Sequence, residues 1–113
     1  MAETCAHLVD YLPAVLENLH SRFVEPRSPL THAWGSPGVI LRCGVAQPAG
    51  YDPTSSELAS VDGVNWYEQY GRSVVTWTAL RPGANVQLDV PRSYQDAGAF
   101  LVDLAGPLKL GLP

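Results

Sequence analysis

Apolar residues recur along the chain with two different periods. Over residues 84–90 the period is two: Val86, Leu88 and Val90 alternate with Asn85, Gln87 and Asp89, as in a strand with one covered and one wet face. Residues 73–80 repeat the scheme, with Val75, Trp77 and Ala79 inward and Thr76 and Thr78 outward. These two strands pair around Arg81-Pro82-Gly83. Upstream, 57–61 and 64–68 flank Asp62-Gly63, a dipeptide suited to a two-residue hairpin turn at positive φ. Residues 39–45 make a further strand, with 31–34 as a short partner across Ser36-Pro37-Gly38.

The ends of the chain follow the longer, helical period. Leu8, Leu12, Val15, Leu16 and Leu19 fall on one stripe and predict a helix over 4–20, capped by Thr4. Pro13 requires a kink or a restart within it. Phe100, Leu101 and Leu104, with Ala97 beneath them, predict a second helix over 94–105. Ser93 and Asp96 resemble a capping box at its start, and Gly106-Pro107 ends it. Residues 21–30, with Pro26 and Pro29, read as a surface connection, and 46–56 as a loop. The expected fold class is α+β, a single antiparallel sheet of four to five strands with an N-terminal and a C-terminal helix on one face.

Composition narrows this picture. A chain of 113 residues, 46% hydrophobic and 16% charged, is most simply one packed domain over 1–113. Its net charge is −4, and its seven basic residues are scattered singly. Nucleic acid, which selects clustered Lys and Arg, is therefore not an expected partner. No apolar run approaches the roughly 18 residues needed to span a bilayer, and no signal-peptide pattern is visible in the sequence as it stands.

Cys5 and Cys43 are the two cysteines. Cys5 lies one turn before Leu8 on the apolar stripe. Cys43 alternates in phase with Val39, Leu41 and Val45 on the face assigned to the helices. Both thiols thus point into the layer between helix and sheet. A disulfide there closes a long loop and stabilises the fold by roughly 4 kcal/mol in the loop-entropy model. It implies an oxidising compartment. A pair of free buried thiols is the alternative. The spacing is not that of a redox motif, and zinc needs further ligands.

The order Cys5, Leu12-Pro13, Ala33-Trp34-Gly35 and Leu41-Arg42-Cys43-Gly44-Val45 resembles DUF3515, an actinobacterial family of exported or membrane-anchored proteins of unknown function. Val61-Asp62-Gly63-Val64-Asn65-Trp66, Val90-Pro91 and Leu112-Pro113 extend the resemblance over nearly the whole chain. It implies an extracytoplasmic domain with Cys5 and Cys43 joined, tethered through an N-terminal apolar segment that this sequence lacks. It brings no catalytic or binding residues.

No side-chain constellation nominates catalysis. Glu17-x-x-His20 has the spacing of half a carboxylate-bridged metal site, but the other half is missing. His7 and Asp10 sit three apart with no activated nucleophile near them. There is no Gly-x-Ser-x-Gly, phosphate-binding glycine loop or His-Glu-x-x-His. No catalytic residue, metal ligand or cofactor is therefore assigned.

By alternation, the outer sheet face carries Ile40, Arg42, Asn65, Tyr67, Thr76, Thr78, Asn85, Gln87 and Asp89. Arg42, Asn65, Tyr67 and Gln87 are its candidate binding residues, for a cell-envelope protein or glycan. The expected function is that of a non-catalytic binding or accessory module of the envelope. One alternative is a small envelope hydrolase with a loop-borne site around His32, Asp52 and Glu57. Another is a ligand sensor with a pocket between helix and sheet near Trp66 and Trp77.

Overall fold

A computed structural model describes residues 2–22 and 30–112. Most of the connection expected over 21–30, including Pro26 and Pro29, lies outside the described residues, as does Pro113. The elements run α1 (Ala2–Val9), β1 (Val15–Leu16), β2 (Leu19–Arg22), β3 (Thr31–Trp34), β4 (Val39–Val45), β5 (Ala59–Val61), β6 (Val64–Tyr70), β7 (Val74–Ala79), β8 (Asn85–Pro91) and α2 (Ala97–Gly111). All strand pairings are antiparallel. The strands form one sheet in the order β1-β2-β3-β4-β8-β7-β6-β5.

The class is as expected, but the sheet has eight strands rather than four to five. The additional pair comes from the stretch read as one long helix. After Val9 the amides of Asp10, Tyr11 and Leu12 bond back three residues, to His7, Leu8 and Val9, which tightens and ends the helix. Pro13 cannot continue it. Glu17 and Asn18 then adopt φ of 47° and 70°, the left-handed pair of a two-residue hairpin turn that joins β1 to β2. Leu16 is buried and Leu19 half-buried, whereas Val15 faces solvent. A helix ending at Val9, a tight turn to Leu12 and then a hairpin serve the same apolar positions as a continuous helix.

The second helix also differs from expectation. Asp96 caps it by accepting from the Ala99 amide at 3.2 Å, so it starts at Ala97. It then runs through Gly106 and Pro107 to Gly111. Pro107 forfeits one intrahelical bond. Continuation beyond it brings Leu108, Gly111 and Leu112 into the core, and that burial outweighs the lost bond. At Gly111 a Cβ would stand 2.9 Å from the Leu8 Cα, so this glycine permits the close crossing of α1 and α2.

Elsewhere the strand expectations hold closely. β5 and β6 flank Asp62 and Gly63, at φ of 47° and 86°, and β7 and β8 carry the alternating faces expected of them. Cys5, Leu8, Leu41, Leu88, Trp66, Leu101, Leu104 and Leu108 form part of one buried cluster between the helices and the inner sheet face. Cys5 and Cys43 are joined, with Cα atoms 5.8 Å apart, so the bond ties α1 to β4. Trp34 adds a second tie: its indole donates to the Pro13 carbonyl at 2.9 Å, fixing the turn that follows α1.

At the hairpin turn, Glu17 shares a hydrogen bond with Asp103 of α2. That bond and the like charge of Asp103 hold the Glu17 carboxyl above its ordinary value of 4.5.

Alkylation of the native protein is expected to modify neither cysteine without reductant and both after reduction, as read by intact mass. The Cys5→Ser/Cys43→Ser variant is expected to lose roughly 4 kcal/mol in urea unfolding. Because the Glu17 pKa is raised on folding, its favourable contribution is full below 4.5 and is lost as pH rises through the raised value. Asp103→Asn is therefore expected to raise the thermal midpoint at pH 7, with the gain vanishing below pH 4.5.

Candidate functional site

Strand order places the outer-face candidates relative to one another. Tyr67 pairs with Thr78, Thr78 with Gln87, and Gln87 with Arg42, so Tyr67, Gln87 and Arg42 lie in one cross-strand row. Asn65 is two residues along β6, exposed, opposite Ser60. The polar atoms of this face largely satisfy one another. Asp89 accepts from Arg42 Nη1 at 2.6 Å, from Thr76 Oγ1 at 2.9 Å and from Gln87 Nε2 at 3.1 and 3.2 Å. The ion pair is partly exposed, with side-chain exposures of 41% for Arg42 and 21% for Asp89.

Nor is the face uniformly wet, as alternation suggested. Thr78 is buried, and Tyr51 of the β4–β5 connection packs edge-on against Tyr67, with ring centroids 5.4 Å apart.

The residues of the hydrolase alternative are not gathered into one place. His32 belongs to the inner face, in the row His32–Leu41–Leu88–Trp77–Glu68. Asp52 and Glu57 are exposed in the β4–β5 connection. The Asp52 carboxylate is taken up by its own turn, accepting from the Thr54 amide at 2.9 Å and the Thr54 hydroxyl at 2.8 Å. These bonds hold its pKa below the ordinary value. Glu17 and His20, the apparent half-site, sit in a hairpin rather than on a helix. No group of three or more metal-ligating side chains occurs among the described residues.

The inner face carries a different kind of site. Where the sheet extends past the start of α2, a cleft of about 280 Å³ opens between them, lined by Glu68, Tyr70, Val75, Trp77, Val90, Pro91, Arg92, Tyr94, Gln95 and Ala97. Pairing sets Glu68 directly opposite Trp77 and Tyr70 opposite Val75. Tyr70 is 70% exposed, with the Arg92 guanidinium 5.5 Å from its ring centre. A hydrogen bond to Glu68, with the charge of that carboxylate, holds the Tyr70 phenol above its ordinary value of 10.0.

Tyr94 is positioned by its hydroxyl, which donates to the Pro37 carbonyl at 2.6 Å, and by edge contact with Phe100 at 5.7 Å. The Trp77 indole nitrogen is shielded from water and has no hydrogen-bond partner among the described residues. Trp77 was the sequence signal for a pocket between helix and sheet. Trp66, named with it, is wholly buried in the core and does not line the cleft.

Trp66 Nε1, His32 Nε2 and Arg81 Nε are likewise buried without a partner among the described residues. The His32 ring lies 4.7 Å from that of Trp34. Burial favours the neutral imidazole and lowers its pKa below 6.5.

These features define a small disulfide-stapled α+β domain with a half-open aromatic cleft at the junction of helix and sheet. The family model described as "Protein of unknown function (DUF3515)" matches residues 1–112, and the chain belongs to that family. No curated protein and no solved structure matches it. Among the described residues no helix is long and apolar enough to cross a membrane.

The lowered His32 pKa sets the direction of one pH response. Between the folded value and 6.5 the unfolded chain binds more protons, so stability rises with pH through that window. The native protein is therefore expected to keep the His32 contribution above pH 6.5 and to lose it as pH falls through the folded value. Urea midpoints across pH 7.5 to 5.5 check this, and His32→Phe is expected to flatten the profile.

Proposed function

We propose that this chain is an extracytoplasmic, non-catalytic binding module of the cell envelope, and that its ligand enters the cleft between β6–β8 and the start of α2. The disulfide supports the compartment, because such bonds persist where thiols are not kept reduced.

One observation carries the choice of site. Asp89 already gathers Arg42, Thr76 and Gln87 on the outer face, whereas the cleft brings Glu68, Arg92 and Gln95 together beside the exposed ring of Tyr70. Ligand sites are concave, with aromatic walls and a few convergent polar groups, and the cleft has this composition.

The oxidised protein, screened by thermal shift against neutral sugars, amines, amino acids and carboxylates, is expected to gain stability with at least one class. Tyr70→Ala, at an exposed position outside the core, is expected to abolish that gain. A gain that survives Tyr70→Ala but disappears in Arg42→Ala moves the site to the outer face. No gain with any class overturns the proposal.

A further inference from the structure

We infer that the cleft is built for a neutral saccharide ring, held between the aromatic side chains of Tyr70, Trp77 and Tyr94 and hydrogen-bonded by Glu68, Arg92 and Gln95. This inference rests on the reading of the cleft as the binding site and adds the chemical class of its ligand.

Charge is the first discriminator. Glu68 and Arg92 are the charged side chains among the lining residues, and they offset each other. An ammonium ligand attracted by Glu68 and the aromatic rings meets the guanidinium, which already occupies the face of Tyr70. An anion attracted by Arg92 meets the carboxylate. A purely apolar ligand strips water from both charges and returns no hydrogen bonds. A neutral ligand rich in hydroxyls avoids all three penalties.

Donor and acceptor inventory is the second. Glu68 accepts only, Arg92 donates only, and the Gln95 amide does both. A hydroxyl group also does both, so adjacent hydroxyls on one ring satisfy this mixed set, whereas a ligand with only donors or only acceptors leaves part of it unpaired. The apolar faces of a pyranose suit aromatic side chains, which supply large contact area at little entropic cost.

Size is the third. At about 280 Å³ the cleft lies at the small end of the ~300–1,000 Å³ range of ligand sites. That accommodates a ring or the end of a chain better than a long oligosaccharide. The aromatic walls come from β6, β7 and the segment before α2, and two of them are fixed by the fold: Tyr94 through Pro37 and Trp77 through its pairing with Glu68.

The test is the indole N–H spectrum of the oxidised, isotope-labelled chain titrated with methyl glucoside, methyl galactoside and methyl N-acetylglucosaminide, and separately with tetramethylammonium. Trp34 and Trp66 are wholly buried and serve as internal references. At least one glycoside is expected to shift the Trp77 resonance saturably while the other two indoles stay in place. Glu68→Gln is expected to weaken that binding about tenfold, as loss of a hydrogen bond to a charged group does, and Tyr70→Ala to weaken it further.

A Trp77 shift with tetramethylammonium and none with the glycosides overturns the saccharide class and leaves the cleft as a binding site. No shift with either probe also overturns the saccharide class, and the broader thermal-shift panel then decides whether the cleft binds anything.

Discussion

The bond between Cys5 and Cys43 supports the rest of the architecture. α1 has eight residues, far below the length at which a helix holds in water by itself. Its place is set by what it touches. The disulfide anchors it to β4, an interior strand between β3 and β8. Leu8 then meets Gly111 at the crossing with α2, and His7 Nδ1 lies 3.1 Å from the Gly111 carbonyl. One covalent link thus fixes the short helix, and the short helix receives the end of the long one.

That arrangement also explains why part of the inner face stays uncovered. Eight strands spaced about 4.8 Å apart form a sheet roughly 35 Å wide, whereas each helix with its side chains is only ~10–12 Å across. α1 packs at β4, and α2 meets β5 and β6. The chain leaves β8 through Pro91, bonds the Arg92 amide to Ser73 and the Tyr94 amide to Pro91, and starts α2 only at Ala97. The ends of β6 and β8 and the start of β7 therefore project past the helix. Their inward residues, Tyr70, Val75, Trp77 and Glu68, become the wall of a cleft.

Features governed by neighbouring residues could be read from the sequence. Asp62-Gly63 specified its own turn, and the alternation in β7 and β8 specified which side chains faced inward. The shared layer of Cys5 and Cys43 followed from helical phase and strand parity. The long N-terminal helix failed because Leu8, Leu12, Leu16 and Leu19 satisfy a helical spacing and a helix-plus-hairpin alike. Pro13 and the left-handed Glu17-Asn18 pair separate those cases, and of these only the proline is a strong signal in sequence. At the other end, Gly106-Pro107 suggested a stop, but burial of Leu108 and Leu112 carried α2 onward. The cleft depends on Glu68 lying opposite Trp77 and on the late start of α2. Pairing register and helix onset are tertiary properties, so Trp77 alone gave a partial signal and Trp66 a misleading one.

The two faces of the sheet divide specification from chemistry. On the outer face Asp89 links three adjacent strands, taking Arg42 from β4, Thr76 from β7 and Gln87 from its own strand β8. A one-residue slip of β8 turns Asp89 into the core and breaks its cross-strand bonds to Arg42 and Thr76, so the network penalises wrong register. Such a network is most effective when its members are paired within the fold, which leaves it little to offer a ligand. On the inner face, register is already imposed by apolar burial and by the disulfide. The polar groups beyond the reach of the core, Glu68, Arg92 and Gln95, are therefore not needed to choose the fold. They stand beside the exposed ring of Tyr70, where a ligand can reach them.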